Sequence, residues 1–162
     1  MLSYQRKPVS LSFTSTDLPI CSMLKTSATL YHKEQYQFHI LLHEPAISDR
    51  ETSSTDILPI SSTSPKPRLL WLEVSLSQII ITMQGNGKYC YRHIWEKGVS
   101  GICRYWLQNE SLKLHYQLQI RNFTSNLLVQ GRPIPEYLRL EYELWSQQLQ
   151  MGHYVLELEI HH

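Results

Sequence analysis

Basic and aromatic side chains recur on the polar parity of the central part of the chain, between residues 92 and 121. Arginine guanidinium groups form bidentate hydrogen bonds with phosphate or carboxylate oxygens, and a tryptophan ring can stack on a nucleic-acid base. A polar outer face is also what any soluble antiparallel sheet presents to water, so both interpretations stay open. With one tryptophan from the C-terminal part added, the candidate binding residues are Arg92, Arg104, Trp106, Lys113, His115, Arg121 and Trp145.

Acidic residues form a second candidate cluster near the C-terminus. A hairpin with Leu138 opposite Ile160 places Glu141 opposite Glu157, with Glu143 further along the same face. Paired carboxylates perform acid and base chemistry or bind a hard metal only when they are buried and convergent. The alternation of apolar and polar residues shows neither property for these glutamates. Like charges across a ladder are unfavourable, so we expect a cation from a neighbouring strand beside them. The candidates for that cation are Arg104, Arg121 and Lys113.

Motifs for metal binding and nucleophilic catalysis are weak. Cys90, His93 and Cys103 are residue types that bind zinc, but positions 90 and 93 of one strand point to opposite faces. The segment Gly98-Val-Ser-Gly101 lacks the spacing of a nucleophile elbow. The sequence therefore predicts no metal site and no cofactor, and it favours a protein that is not an enzyme.

The elements that must position these groups are strands. In residues 111–121 apolar and polar side chains alternate strictly, as in a strand with one buried face. A two-residue turn at Asn109-Glu110 would place Cys103 opposite Tyr116. On the other face, the same register predicts that Arg104 faces His115 and that Trp106 faces Lys113.

Further segments add to the same pattern. Two strands are expected near 8–14 and 27–43, the second folded by a turn around Lys33–Gln35. The prolines of 133–137 remove ladder donors, so this segment is predicted to be an edge or a corner. Only 137–150 carries partly helical spacing. The fold class is mainly β, with about eight or nine strands and little helix: an antiparallel meander closed into a barrel or packed as a two-sheet sandwich.

Length and composition bound the remaining possibilities. The 162 residues predict a single β domain over 1–162, with a flexible Ser/Thr/Pro-rich loop at 44–68. A net charge of +1 provides no overall field for duplex nucleic acid, and no apolar run is long enough to span a membrane. Three widely spaced cysteines and no export signal predict a cytoplasmic protein.

Three functions remain as hypotheses. The leading one is a non-enzymatic binding or adaptor protein that engages a protein partner, or itself, through an exposed aromatic and charged sheet face. The alternative is a small-ligand or nucleotide sensor that uses either the tyrosines of a barrel interior or the face formed by the Arg, His and Trp residues. The third is an enzyme that uses Glu141, Glu143 and Glu157 together with a histidine.

Overall fold

The structure of the chain, a computed structural model, describes residues 4–44, 68–84, 89–109 and 114–162. The described residues form ten strands, and none of them forms a helix of the length and apolarity that crossing a membrane requires. The strands are β1 (Tyr4–Ser15), β2 (Cys21–Glu34), β3 (Gln37–Glu44), β4 (Arg68–Val74), β5 (Gln78–Gln84), β6 (Tyr89–Glu96), β7 (Ser100–Asn109), β8 (Leu114–Gln130), β9 (Tyr137–Ser146) and β10 (Leu149–Ile160).

The ten strands close into a barrel. Each strand pairs antiparallel with the next along the chain, and β10 pairs with β1 from Val9 opposite Ile160 to Ser15 opposite Tyr154. The predicted antiparallel meander is confirmed, the barrel is the architecture that forms, and the strand number is ten rather than eight or nine. A closed sheet has no free edge, so no described strand offers its ladder to another chain.

Alternate residues of each strand point into the barrel and form its core. Ile40, Leu72, Leu140 and Leu158 come from four different strands, and each has 0% of its surface exposed. Fully burying an aliphatic side chain contributes about 1.5–3 kcal/mol, so these positions supply much of the stability. Because the strands alternate in direction, the β1–β2 loop and the β9–β10 turn lie at one end, called here the open end. The β2–β3 turn, the β4–β5 turn and the β8–β9 corner lie at the far end.

The β7–β8 ladder keeps the predicted parity but not the predicted register. Cys103 lies opposite Ile120 instead of Tyr116, a shift of four residues, and Asn109 pairs with Leu114. The connection therefore spans residues 110–113, which lie outside the described residues, and the predicted two-residue turn is wrong. A shift by an even number leaves apolar side chains opposite apolar ones, so parity alone does not detect it.

The same shift changes the cross-strand partners on the outer face. Arg104 faces Gln119 rather than His115, and Trp106 faces Gln117 rather than Lys113. The predicted pairing of an aromatic ring with a lysine is therefore wrong. Neutral glutamine amides face the cationic and aromatic side chains of β7 instead.

The β9–β10 hairpin is shifted by two residues from its predicted register. Leu138 pairs with Leu158 and not with Ile160, because the connection is a tight turn that leaves Ser146 opposite Leu149. Gln147 in this turn has a positive φ of 56°. The tight turn alone would move every partner along β10 by three positions, and a β-bulge between Gln150 and Gly152 moves them back by one, so the net shift is two.

The new register removes the like-charge contact expected from the sequence. Arg139 lies opposite Glu157, and its Nη1 donates to the Glu157 Oε1 at 2.7 Å. Its Nη2 donates to the Glu141 Oε1 at 2.9 Å. The cation beside the two carboxylates thus belongs to the same hairpin, and the expectation that Arg104, Arg121 or Lys113 supplies it is wrong.

The remaining expectations concern connections. Of the predicted edge or corner, a corner forms at 131–136, between β8 and β9, and residues 137–150 form two strands and the turn between them instead of the alternative helix. The loop predicted over 44–68 starts and ends at neighbouring strands, since Glu44 pairs with Arg68. Its residues 45–67 lie outside the described residues.

Candidate functional site

The outer face of β6 and β7 brings two predicted binding residues together. Arg92 lies directly opposite Arg104, and the Arg92 Nη2 is 4.0 Å from the Glu73 Oε2. Trp106 follows two residues along β7 on the same face and is half-buried. Two cations side by side on a ladder repel each other, and the Glu73 carboxylate offsets part of this charge at Arg92.

A second pair of predicted residues meets on β8 and β9. Arg121 lies opposite Trp145, with its Cζ 5.8 Å from the centroid of the indole ring. The Trp145 Nε1 donates a hydrogen bond to the Glu143 Oε2 at 3.0 Å. Trp145 is therefore a half-buried ring held between a cation and a carboxylate.

Two of the predicted residues take no part in the described arrangement. Lys113 lies outside the described residues, and of His115 only the backbone is described, opposite Gln108. The predicted face thus reduces to one contiguous set on the barrel exterior, called the outer-face patch below. Its members are Arg92, Arg104, Trp106, Arg121 and Trp145.

The three glutamates proposed as an enzymatic group do not converge on one partner. Glu141 and Glu157 share Arg139, whereas the Glu143 Oε1 lies 3.0 Å from the His153 Nε2. All of them lie on the barrel exterior rather than in a cleft. In the part of the chain that the structure describes, no group of three or more His, Cys, Asp or Glu side chains could hold a metal ion.

The lumen of the barrel contains a cavity of about 370 Å³ toward the open end. Strands β1, β2, β4, β5, β6, β7, β9 and β10 all contribute to its wall. Aliphatic side chains such as Leu24 and Leu144 form part of this wall, and Arg68 lies at the mouth, where β4 begins. The volume falls within the ordinary range of about 300–1,000 Å³ for small-molecule sites.

Aromatic rings form a continuous band along one side of the lumen. His93 is central, with its ring centroid 5.2 Å from that of Tyr105 and 4.9 Å from that of Trp95. The Trp95 ring in turn lies 5.1 Å from that of Tyr142. Tyr91 touches both His93 and Tyr105, at 5.1 and 5.8 Å. The contacts of His93 with Tyr91 and Tyr105 are edge-to-face, a favourable arrangement that holds these rings in place.

His93 is electrically neutral at physiological pH. It is 6% exposed, and burial lowers its pKa from 6.5 to about 4 because the imidazolium ion loses its hydration. Its Nδ1 and the Nε1 of Trp95 are buried and have no hydrogen-bond partner among the described residues. Buried polar atoms are normally paired, so the wall of the lumen has unused hydrogen-bonding capacity.

Asn122 forms hydrogen bonds with both β6 and β7, the strands that carry most of these rings. The β6–β7 ladder pairs regularly only from Tyr89 to Arg92, and beyond it Asn122 spans the gap. Its Nδ2 donates to the Ile94 carbonyl oxygen at 3.0 Å, and its Oδ1 accepts from the Gly101 N–H at 3.1 Å. A Cβ at Gly101 would lie 2.4 Å from the Ile94 oxygen, so only glycine permits this approach.

Cys103, one of the three residues of a type that binds zinc, belongs to the same buried region. Its thiol accepts a hydrogen bond from the Asn122 Nδ2 at 3.0 Å, and burial raises its pKa to about 12. A thiol with so high a pKa is unreactive at neutral pH. Cys90 lies on the opposite face of β6 from His93, as predicted.

The sequence pattern predicted tyrosines inside a barrel, but His93 was not predicted to be a lumen residue. A signal was present, because His93 stands on the apolar parity of β6, between Tyr91 and Trp95. A polar residue within a row that points inward marks a position where the interior departs from plain hydrocarbon packing.

Within the described residues, fold and site together define a closed antiparallel β-barrel with an aromatic lumen that opens at one end. No protein-family model matches the chain, and no curated protein matches it. Among solved structures, the chain is similar to the crystal structure of the ywiB protein from Bacillus subtilis, at 13% identity and a TM-score of 0.59. The match covers 99% of this chain and 96% of that one, and at this identity it shows a shared fold alone.

Proposed function

We propose that the barrel binds a small molecule in its lumen. The observation that supports this proposal is the cavity of about 370 Å³, whose wall combines aromatic rings with unpaired polar atoms. A solid barrel core would need neither the space nor the unpaired nitrogens. A concave, mostly apolar cavity with a few polar groups is the usual form of a ligand site.

The chemistry of the wall restricts the ligand. Burying a charge without a partner is costly, and His93 is neutral, so the part of the ligand inside the lumen is uncharged. A flat ring system, a nucleobase included, packs against Tyr105, Trp95 and Tyr142. A charged substituent would remain at the mouth, near Arg68.

Binding is tested first with a fluorescent probe, 8-anilinonaphthalene-1-sulfonate. Leu24→Trp replaces an aliphatic side chain of the cavity wall with a bulky indole ring. We expect it to weaken probe binding by about tenfold or more, because the indole occupies the space that the probe would fill. Leu128→Trp, at an exposed position on the outer side of β8, is the matched control and should bind as the wild type does. Equal binding by Leu24→Trp and wild type would remove the lumen as the site.

A panel of nucleotides and neutral aromatic metabolites then addresses the ligand class. A true ligand at a hundredfold excess over its Kd raises the free energy of unfolding by about 2.7 kcal/mol. Thermal unfolding with and without each compound measures this shift. Absence of a shift across the panel, in a protein that also fails to bind the probe, would contradict the proposal.

The outer-face patch supports a second candidate function, engagement of a protein partner. The supporting observation is that Arg92 and Arg104 lie side by side, a repulsion that an acidic partner would relieve. Trp106, two residues from Arg104 on β7, and Trp145, which packs on Arg121, can form the apolar part of a contact.

The protein-partner proposal is tested with Trp106→Ala. We expect it to abolish capture of a partner in a pull-down, or self-association in sedimentation, while stability stays within about 0.5 kcal/mol. Lys25→Ala, on the exposed face of β2, is the control and should leave association unchanged. If association survives Trp106→Ala, the outer-face patch is not the contact surface. If association is lost but the melting temperature also falls, the loss reflects unfolding and also argues against the patch.

A further inference from the structure

The far end of the barrel holds a groove that is separate from the lumen cavity. Its volume is about 730 Å³. The buried residues that line it are Phe38, Val74 and Pro135, and Val129 beside them is half-buried. Tyr36 and Arg132 also line the groove and are exposed, so they form its rim.

The rim is held in a defined geometry. The Arg132 Cζ lies 5.5 Å from the centroid of the Tyr36 ring, so the guanidinium group stacks on the tyrosine. The corner that carries Arg132 is closed by a hydrogen bond from the Glu136 N–H to the Gln130 carbonyl oxygen, at 2.8 Å. A Cβ at Gly131 would lie 2.5 Å from the Glu136 nitrogen, so the tight corner requires this glycine.

Tyr36 occupies a backbone conformation that tyrosine rarely adopts. Its φ is +65° in the two-residue turn between β2 and β3, where glycine or asparagine is normally found. Strained positions of this kind persist mainly where the side chain has a task. Here the side chain supports a cation at the edge of an apolar groove.

The cation at this rim has no acidic partner in the described part of the chain. The ion pairs there join other groups, and no carboxylate lies within 4.0 Å of the Arg132 guanidinium. We propose that the far-end groove binds a monocarboxylate with an aliphatic body. The carboxylate pairs with Arg132, because a guanidinium fork matches its two oxygens, and the aliphatic part packs on Val74, Val129 and Pro135.

Octanoate is the probe for this site, with 1-octanol as its uncharged counterpart. In isothermal titration calorimetry we expect octanoate to bind at one site and Arg132→Met to weaken it by about tenfold or more. Arg121→Met is the matched control, since Arg121 also stacks on an aromatic ring but does not line the far-end groove. 1-Octanol should bind the wild type about tenfold more weakly than octanoate does, because it offers no carboxylate.

A second variant separates binding from folding. Tyr36→Gly relieves the strained φ and removes the ring that supports Arg132, so its melting temperature should equal or exceed that of the wild type. Its affinity for octanoate should nevertheless fall. A structural role alone would lower stability and leave affinity unchanged.

The result also distinguishes this groove from the lumen. Leu24→Trp should leave octanoate binding intact, whereas it removes binding of the lumen probe. Octanoate binding that is insensitive to Arg132→Met, equally lost in Arg121→Met, or abolished by Leu24→Trp would overturn the proposal. The lumen proposal would survive each of these outcomes.

Discussion

Replacing Asn122 with alanine lowers the free energy of unfolding by about 3 kcal/mol, since two backbone groups lose their partners at a buried position. Asn122 is 0% exposed and bonds both the Ile94 carbonyl and the Gly101 N–H, where the β6–β7 ladder is interrupted. Alanine leaves a cavity as well as the unpaired groups, and water has no easy access to either. Urea unfolding of both proteins at pH 7 measures the difference.

Thr124→Val is the matched control for this substitution. Thr124 is also 0% exposed on β8, but its Oγ1 has no hydrogen-bond partner among the described residues. Valine has nearly the same shape and removes a hydroxyl group that is buried without compensation, so stability should stay the same or rise. A loss of stability in Thr124→Val as large as in Asn122→Ala would show that packing, and not the Asn122 hydrogen bonds, governs this region.

The Asn122 substitution also connects stability to the proposed function. Asn122 holds β6 at Ile94, between the lumen residues His93 and Trp95. If these rings form the ligand site, Asn122→Ala should weaken binding of the lumen probe even where the protein is still folded. Thr124→Val should leave probe binding at the wild-type level.

Acidification from pH 6.5 to pH 4 should lower the free energy of unfolding by roughly 3 kcal/mol through His93 alone. Burial depresses the pKa of His93 to about 4 in the folded state, against 6.5 in the unfolded chain. Between these values the unfolded chain binds the proton and the folded chain does not, so stability falls as pH falls. Below pH 4 both states are protonated, and the effect of His93 ends.

His93→Phe isolates this contribution. Phenylalanine keeps a ring among Tyr91, Trp95 and Tyr105 but cannot be protonated, so its stability should depend less on pH across the window. Urea unfolding at pH 7, 5.5 and 4.5 measures both proteins. His43→Phe, at an exposed position, should retain the slope of the wild type. Parallel pH profiles for wild type and His93→Phe would show that His93 is not buried as described.

The alternation of apolar and polar residues predicts where strands form, but it does not predict their register. Alternation in residues 111–121 correctly predicted a strand, although the described part of β8 starts at Leu114. The same rhythm could not determine register, because the errors were even: Cys103 pairs with Ile120 instead of Tyr116, and Leu138 with Leu158 instead of Ile160. An even shift keeps each side chain on its face, so the length of the turn, together with the β-bulge beside it in β10, decides the register.

For the candidate site too, the sequence predicted which face each residue lies on but not which residues are neighbours. The sequence could place Arg92, Arg104 and Trp106 on the outer face, because parity alone decides that. Which of them meet depends on register, and Lys113 and His115 were assigned partners that the actual ladder does not provide. The rim of the far-end groove left no usable signal, because Tyr36 and Arg132 are far apart in sequence and belong to different turns.

By itself the sequence determined that the chain forms antiparallel strands, which side chains face inward, and that the prolines of 133–137 cannot belong to a central strand. These properties depend on neighbours within a few residues. Only the tertiary structure decided that the sheet closes, that β1 meets β10, and that the interior leaves a cavity beside His93. Closure and internal volume depend on the number and register of all the strands together, and on how side chains from opposite walls fill the space between them.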